Sequence, residues 1–443
     1  MKAVHAILLS LAFTFSFLEP PARIAADRLH ALPKQYDVVV VGSTPAAIAA
    51  ALASAHRGLR TLLITQATTL GGDLTLGLLT HWDLQHGADG RLLQRGIFQQ
   101  FYQALPNGFS PLAASAYFQK RITGDRRITW LRGVGELHAG TVTDGRASRI
   151  LSVNDARGRC FIDATSDGDL AAEAGARYDV GRQDQGRDTR MQPATLIFML
   201  RGVDWARALA SFDPRRDGLG RSKILKKYRP LSDRAVVRDA NFQLQRDGTV
   251  MVNAIDIVGV DGRNAGSLAS ARVLARRESR NLVRFFRRSL PGFARASIAR
   301  FAPQMYVRET RHVLGLFRID GKYVWSGSRT YDTVVLASYP IDVHPVTADA
   351  VAGDGWAAEP HVYGIPLRAL IVAGFENLAI VGPAISATHD AAGSLRVLPT
   401  TVAEGESAGN ACAASIRTGR NLSSLRALRA RLGEQGRLPP AAI

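Results

Sequence analysis

The chain has 443 residues, of which 46% are hydrophobic and 21% charged, a composition that is ordinary for a globular protein and excludes wholesale disorder. The length is enough for two or three domain-sized units. The formal charge is +18, and only seven of the 56 basic residues are lysine. The arginines are scattered rather than interleaved with aromatic residues, so the composition does not indicate a nucleic-acid binder. Two explanations stay open: a solvated arginine-rich surface, or a positive field that attracts acidic substrates.

The amino-terminal residues 1–26 have the pattern of a leader. Lys2 precedes an apolar run at 6–18 that is too short to span a bilayer but suits the core of a secretory signal. Small residues near Ala26 predict cleavage there, with Ile24 larger than usual for its position. We therefore expect an exported or periplasmic protein, with a cytoplasmic location as the alternative, and membrane contact only through this segment.

The chain has two cysteines, Cys160 and Cys412. Two cysteines cannot form a disulfide framework, and no metal-ligand spacing surrounds them. Cys160 falls in an apolar, strand-like stretch and Cys412 in an alanine-rich, helix-like one. We expect both to be small core residues, and we expect no metal site.

Folded structure is predicted to begin at Tyr36. The run 38–41 is all valine, which is typical of a strand buried on both faces. A break at 42–45 precedes an alanine-rich helix at 46–56, and a second apolar strand follows at 61–64. Strand, tight turn, helix and strand within about thirty residues form the β-α-β unit of a dinucleotide-binding fold.

Further elements are predicted along the rest of the chain. Strands are expected at 128–131, 148–153, 159–165, 195–200 and 377–382, and helices at 267–290 and 400–414. The helix at 267–290 carries many arginines. We favour a core helix with a solvated basic face over a helix that docks on an anionic membrane surface.

The turn after the first strand matches the dinucleotide fingerprint only in part. The fingerprint uses three glycines, for the turn, for the approach of the pyrophosphate and for helix packing. Only Gly42 is kept, and Thr44 and Ala47 replace the others. Backbone N–H groups at the helix start would still hold a pyrophosphate. After the second strand, Thr65 and Gln66 stand where an acidic residue usually binds ribose, and either could hydrogen-bond it without a charge.

Five segments, taken in order, resemble one family. They are the nucleotide loop 36–51, the glycine turn 70–72, and the stretches 161–172 (FIDATSDGDLAA), 307–311 (VRETR) and 385–400 (ISATHDAAGSLRVLPT). Together they resemble the FAD-dependent oxidoreductases related to fumarate-reductase and heterodisulfide-reductase flavoproteins. Ser166 stands in place of a family glycine, and a cysteine common before the last motif is absent.

The resemblance implies an α/β fold: a Rossmann-like FAD-binding domain of the two-dinucleotide-binding flavoprotein type, with an inserted α+β substrate domain. The predicted parts are a leader (1–26), the FAD-binding domain (36–182 and 363–420), the substrate or cap domain (183–362) and a tail (421–443). The implied cofactor is FAD. The residues implied to bind it are Gly42, Ser43, Thr44, Pro45, Ala46, Thr65, Gln66, Gly71, Gly72, Val134, Ala164, Thr165, Asp167, Gly382, Gly393, Ser394, Leu395, Arg396 and Val397.

The closing motif contains His389, the candidate general base, because a neutral imidazole near a flavin can accept a substrate proton as hydride leaves. The alternative is a histidine that only hydrogen-bonds the turn or the cofactor. Arg308 and Arg311 are candidates to clamp an anionic substrate, or else they form salt bridges and pack domains. The helix that follows Gly393 would stabilise negative charge on reduced flavin. Weaker candidates are His81, His312 and His344.

The expected function is a dehydrogenase or oxidase that takes hydride from a small organic substrate, anionic ones included, onto FAD. Its partners would be that substrate and an electron acceptor, with no nucleic acid. There are two alternatives: a flavin-binding protein with degenerate or no catalytic activity, and an FAD-dependent monooxygenase. The first is favoured by Thr44, Ala47, Thr65 and Ser166, each of which replaces a residue of the usual binding pattern.

Overall fold

The structure is a computed structural model that describes residues 35–145, 147–210, 212, 224–348 and 361–424. The predicted leader and most of the predicted tail lie outside these ranges. Within them, no helix is both long and apolar enough to cross a membrane.

The described chain alternates strands and helices at first and is richer in strands in its middle. The strands are β1 (Val38–Val41), β2 (Thr61–Thr65), β3 (Ile128–Arg132), β4 (Ala139–Thr143), β5 (Ser148–Val153), β6 (Ala156–Arg157), β7 (Cys160–Asp163), β8 (Tyr178–Val180), β9 (Ala194–Thr195), β10 (Phe198–Arg201), β11 (Ala235–Val236), β12 (Asn241–Leu244), β13 (Val250–Asn253), β14 (Asp256–Ile257), β15 (Ser297–Phe301), β16 (Arg311–Val313), β17 (Thr333–Ala337), β18 (Tyr363–Pro366) and β19 (Leu378–Ile380). The α-helices are α1 (Pro45–His56), α2 (Ile97–Ala104), α3 (Pro111–Thr123), α4 (Asp169–Glu173), α5 (Trp205–Leu209), α6 (Ala265–Ser289), α7 (Gly321–Trp325), α8 (His389–Leu395) and α9 (Leu398–Thr418).

A five-stranded parallel sheet, in the order β19-β7-β1-β2-β3, forms the core of the nucleotide-binding part. Val38 lies opposite Thr61 on one side and Cys160 on the other. Every residue of β1 and β2 is buried, because helices and loops cover both faces, and this is why the strand sequences do not alternate. The predicted α/β, Rossmann-like fold is confirmed, with β19 returning from late in the chain to complete the sheet.

Helices α1 and α9 pack against each other through very small residues. A Cβ at Gly405 would collide with the carbonyl oxygen of Ala46, and one at Gly409 would lie 2.6 Å from the carbonyl oxygen of Ala50. The alanine-rich sequences of both helices therefore reflect a close helix–helix approach. A larger side chain at either glycine would push the two helices apart.

The middle of the chain forms a four-stranded sheet, β12-β13-β10-β15, and a three-stranded one, β11-β14-β9. The predicted strand at 195–200 is wrong in one respect: it is two strands, because Thr195 pairs with Asp256 whereas Phe198 pairs with Val252. Helix α6 buries an apolar face against these strands and leaves arginines exposed on the other, as predicted. The side chain of Asn264 caps its amino terminus.

The prediction of two unpaired core cysteines is wrong. Cys160 and Cys412 are buried, as expected, but they form a disulfide with a Cα–Cα distance of 5.8 Å. The bond joins β7 of the central sheet to α9. The two residues are 252 positions apart in sequence, so their pairing depends on the return of the chain to the sheet and leaves no local signal.

We expect the double variant C160A/C412A to unfold at a lower temperature than the oxidised protein. The disulfide closes a very long loop and restricts the unfolded chain, an effect of roughly 2–5 kcal/mol. Thermal unfolding followed by circular dichroism, with and without dithiothreitol, checks this. Reductant should lower the midpoint of the wild type and leave the variant unchanged; equal midpoints for the oxidised wild type and the variant would contradict the prediction.

Candidate active site

The turn between β1 and α1 replaces the missing fingerprint glycines with internal hydrogen bonds. Gly42 has φ +133°, and a Cβ there would collide with the carbonyl oxygen of Ala164. The hydroxyl of Thr44 donates to that same carbonyl (2.9 Å) and accepts from the N–H of Ala47 (3.1 Å), capping α1. Thr44 therefore joins the loop to the end of β7. The N–H of Ala46, in the first turn of α1, has no partner inside the helix.

The second glycine turn packs directly on this loop. Gly71 donates its N–H to the carbonyl oxygen of Ser43 (2.8 Å). A Cβ at Gly72 would lie 3.3 Å from the Cα of Thr44, so the two turns touch through backbone. Gly71 and Gly72 both have positive φ, +107° and +47°, which explains why glycine stands at both positions. The turn places the next residue, Asp73, in the lining of the adjacent cleft.

The residues at the end of β2 form hydrogen bonds with other parts of the fold. The hydroxyl of Thr65 donates to the carbonyl oxygen of Ala67 (2.7 Å) and accepts from the indole N–H of Trp130 (3.0 Å). The side-chain amide of Gln66 donates to the carbonyl oxygen of Gly135 (3.0 Å), and the N–H of Val134 donates to the carbonyl oxygen of Thr65 (3.1 Å). Because Thr65 is buried and its hydroxyl both donates and accepts within the fold, the structure does not present this hydroxyl to a ribose.

Thr165 and Asp167, in the segment after β7, bond to neighbouring loops, whereas Ser166 between them lines the adjacent cleft. Thr165 donates its hydroxyl to Asp163 (2.6 Å), and Asp167 accepts from the hydroxyl of Thr310 (2.8 Å). Burial and the negative charge of Asp169 raise the pKa of Asp167 to about 6.

The closing motif forms two helices instead of one. Gly393, Ser394 and Leu395 are buried inside α8, and the Ser394 hydroxyl bonds the carbonyl oxygen of Tyr339. Val397 is the N-cap of α9, and no side chain caps that helix end. The amino terminus of α9, with its partial positive charge, therefore opens toward the cleft that Val397 lines.

These elements surround one cleft, here called the nucleotide cleft. It is lined by Thr44, Pro45, Ala46, Asp73, Leu79, Asp83, Ser166, Tyr306, Val307, Arg308, Gly382, Pro383, Arg396, Val397, Leu398 and Thr401. Of the residues predicted to bind cofactor, it includes Thr44, Pro45, Ala46, Gly382, Arg396 and Val397. Gly382 has φ +94° and no atom within 4 Å of the position of a Cβ, so any side chain there would enter the open cleft. Its N–H donates to the buried carboxyl of Glu404 (2.8 Å) and is not available to a ligand.

A second cavity of about 240 Å³, here called the polar cavity, adjoins the nucleotide cleft. Both are lined by Leu79, Asp83, Tyr306, Arg308 and Arg396. The polar cavity extends from these residues into the middle sheets, where it is lined by His81, Arg238, Asp239, Asn241, Phe242, Met251, Asn253, Ala254, Asp256, Tyr339, Asp342 and His344. A bound nucleotide and a second small molecule can therefore meet at the shared residues.

The sequence profile of the family described as FAD dependent oxidoreductase matches residues 37–433. The chain belongs to this family. FAD is accordingly its cofactor, and the protein is an oxidoreductase that acts on a small molecule. The nucleotide cleft fits FAD, because the amino termini of α1 and α9 both face it and the cradle beside Gly382 is open.

Solved structures with a similar fold are distant. The p-nitrophenol 4-monooxygenase PnpA from Pseudomonas putida DLL-E4 is 14% identical over 90% of this chain and 84% of that chain, with a TM-score of 0.44. A geranylgeranyl bacteriochlorophyll reductase-like protein from Thermoplasma acidophilum is 13% identical over 91% and 83%, with a TM-score of 0.42. The flavin-dependent brominase Bmp2 is 11% identical over 90% and 84%, with a TM-score of 0.42. No curated protein sequence matches the chain. Similarities this low carry no information about the substrate of this FAD-dependent oxidoreductase.

Charged side chains in the polar cavity are paired with one another. Asp342 accepts from Arg238 (2.8 Å) and Arg396 (3.0 Å) and lies 3.2 Å from Nε2 of His344. Asp256 lies 2.6 Å from Nδ1 of His344 and also pairs with an arginine. Burial alone would raise the pKa of Asp256, but His344 and its arginine partners outweigh it and hold this pKa well below its usual range.

The three residues predicted to be catalytic are not brought together at the polar cavity. Arg308 lines it, but its Nη1 pairs with Asp256 (3.2 Å) and donates to the hydroxyl of Thr195 (2.8 Å), so its charge is balanced by a buried carboxylate. Arg311 donates to Asp169 (2.9 Å) and to the carbonyl oxygen of Asp167, which ties two segments together.

His389 is not among the residues that line the nucleotide cleft or the polar cavity. Its Nδ1 lies 2.7 Å from Glu309, which also binds His312 (2.7 Å) and accepts the N–H of Gln192 (2.8 Å). Burial alone would lower the pKa of His389, but the Glu309 carboxylate outweighs it and raises this pKa. The role of His389 as a base stays a prediction that the cavity geometry does not favour.

Sequence reasoning missed several residues of the site. These are Asp73, Leu79, Asp83, Tyr306, Tyr339 and the two asparagines Asn241 and Asn253. Asp73 directly follows the predicted glycine turn, and Asp83 lies two residues after the candidate His81. Their positions in the sequence could therefore have pointed to both as site residues. Asn241 and Asn253 lie on strands of the middle sheets, whereas Leu79, Tyr306 and Tyr339 lie in loops. None of these five residues had a local signal.

We expect FAD to bind this protein less tightly as pH rises through 7. Burial, with the negative charge of Asp167, raises the pKa of Asp73 to about 7. Above that pH, Asp73 becomes anionic in the cleft and repels the pyrophosphate. Fluorescence titration of the apoprotein with FAD should show affinity falling roughly three- to tenfold between about pH 6 and about pH 8. D73N should remove most of this change; the same pH profile in D73N and wild type would contradict the assignment.

Proposed function

We propose that this protein is a dehydrogenase or oxidase that takes hydride from a small organic substrate in the polar cavity. The observation that carries the proposal is the shared wall of the two spaces, formed by Leu79, Asp83, Tyr306, Arg308 and Arg396. A substrate carbon at this wall would lie next to the cofactor. When bound, FAD supplies the acceptor for the hydride.

The amino termini of α1 and α9 would hold the anionic and electron-poor parts of FAD. Thr44 fixes the first of these helix ends, and the second has no competing side-chain cap. Arg396 donates to the hydroxyl of Tyr306 (2.8 Å) and to Asp342, so its guanidinium is fixed where cleft and cavity meet. The arrangement is preorganised, because these groups need no rearrangement when charge develops.

Oxidation of an alcohol or amine removes a hydride from carbon and a proton from oxygen or nitrogen, and the proton needs an acceptor. Asp83 lines both spaces and lies 3.6 Å from Nε2 of His81. Nδ1 of His81 is 3.1 Å from the amide nitrogen of Asn107 and 3.3 Å from Oε1 of Gln243. We assign the proton to the Asp83–His81 pair, because Asp83 lies at the shared wall and both side chains are partly exposed.

We expect D83N to retain FAD and to slow substrate-driven reduction of the flavin by about 10²-fold, the usual contribution of a general base. Anaerobic stopped-flow absorbance measures this. Asp89, an exposed residue of the same loop region, provides the matched control, and D89N should reduce at the wild-type rate. Reduction by D83N at the wild-type rate would remove Asp83 from this role. Flavin reduced only by NADPH, with oxygen incorporated into product, would replace the proposal with a monooxygenase.

His389 is the competing base, and its test separates the two assignments. Because its imidazole binds Glu309 instead of lining the cavity, H389A should change the rate of flavin reduction by less than about threefold while lowering the thermal midpoint. A loss of about 10²-fold in H389A, with the midpoint unchanged, would restore the original assignment.

Export of the protein also remains our proposal. The disulfide between Cys160 and Cys412 supports it, because disulfides form and persist in oxidising compartments. Intact mass measured on protein isolated from its native cell without reductant, after alkylation of thiols, tests it. Two alkylated cysteines would contradict an oxidising location.

A further inference from the structure

The polar cavity offers a ligand no unpaired charge. Arg238, Arg396 and His344 share the carboxylate of Asp342, and Arg308 and His344 share that of Asp256. The remaining cavity carboxylates follow the same rule: Asp83 lies against His81, and Asp239 is in the electrostatic field of Arg238 and His344. A charged ligand would add an unbalanced charge to a buried set of charges that is already balanced, which is unfavourable.

Three neutral polar groups in the cavity have no hydrogen-bond partner in the described part of the chain. Asn241 and Asn253 lie directly opposite each other on β12 and β13, so their side chains project on the same face of the sheet. Within the described part of the chain, neither side-chain amide has a hydrogen bond, and the phenol of Tyr339 has none either. Burial raises the pKa of Tyr339 well above its usual value, so the phenol stays an uncharged donor. Two amides and one hydroxyl can therefore bind a ligand without any loss of existing bonds.

The remaining wall is apolar and the space is small. Leu79, Met251 and Ala254 supply apolar lining, and the volume is about 240 Å³. Pockets for drug-sized ligands measure roughly 300–1,000 Å³, so this cavity suits a molecule the size of one ring with short substituents. An apolar wall beside neutral hydrogen-bonding groups suits a ligand with a hydrocarbon face and a polar edge.

We propose that the polar cavity takes an uncharged substrate of about one ring in size that carries at least two hydroxyl or amide groups. This rests on the proposed function for the site itself and replaces the anionic substrate expected from Arg308 and Arg311. Asn241, Asn253 and Tyr339 recognise the polar edge, and Met251 and Leu79 contact the hydrocarbon face. The arginines serve the buried network and not the ligand.

Three matched probes test the charge preference on FAD-loaded protein under anaerobic conditions: trans-cyclohexane-1,2-diol, trans-2-hydroxycyclohexanecarboxylate and trans-2-aminocyclohexanol at neutral pH. Perturbation of the flavin absorbance spectrum gives a dissociation constant for each. The neutral diol should bind at least tenfold more tightly than the carboxylate and the ammonium compound. Equal or tighter binding of either charged probe, or no perturbation by the diol, overturns the proposal.

Two variants test which side chains of the polar cavity bind the diol. N241L and Y339F should each weaken diol binding by roughly three- to tenfold, because each removes one hydrogen bond. Y102F, which removes a phenol from α2 away from the cavity, is the matched control and should bind as wild type does. Unchanged diol binding in both N241L and Y339F would overturn the assignment of these groups.

The proposed hydride oxidation and the proposed uncharged substrate can be disproved independently of each other. Diol that binds but never reduces the flavin, while other uncharged compounds also fail to reduce it, counts against hydride oxidation and leaves the charge preference intact. Rapid reduction by the carboxylate probe supports hydride oxidation and overturns the uncharged substrate.

Discussion

The close contact between α1 and α9 is the constraint on which the site depends. Gly405 and Gly409 leave no room for a side chain against the backbone of Ala46 and Ala50. Because the helices touch along this line, both amino termini are directed to the same cleft. One helix follows the first strand and the other comes from the end of the fold, so the site is complete only after the chain has returned to the sheet. The disulfide from α9 to β7 holds the same helix at a second point.

A second consequence concerns the arginines around the cleft. Asp342 accepts hydrogen bonds from Arg238 and Arg396 and contacts His344, so one buried carboxylate organises three potential cations. Burial alone would raise the pKa of Asp342, but His344 and the arginines outweigh it and hold this pKa well below its usual range. The net effect is a rigid wall in which positive charge is locally balanced. Counting arginines in a sequence therefore overstates the attraction of this cavity for anions.

How much could be predicted from the sequence depends on the range of the interaction. The valine strand, the turn at Gly42 and the helix after it follow from local patterns, and the family resemblance supplied FAD. The details of that turn did not follow, since Thr44 acts as a cap and a tie to Ala164 in place of a glycine. The disulfide could not be predicted, because its strand and its helix are 252 positions apart in sequence. Asn241 and Asn253 lie on consecutive strands, but their place in the cavity depends on packing against segments as distant as Leu79 and Tyr339.

The histidines illustrate why position in a motif is a weak guide to chemistry. Both ring nitrogens of His344 face carboxylates, which leaves neither available to take a proton from a ligand. His312 and His389 share the buried carboxylate of Glu309 and so form part of the structural core of the loop. His81 differs, because its Nε2 lies 3.6 Å from Asp83, which lines both the nucleotide cleft and the polar cavity. The carboxylates beside His344, Asp256 and Asp342, line only the polar cavity, whereas Asp83 lines both spaces. An imidazole can pass a proton onward only when its partner reaches the reacting atoms at the shared wall, and that condition favours His81.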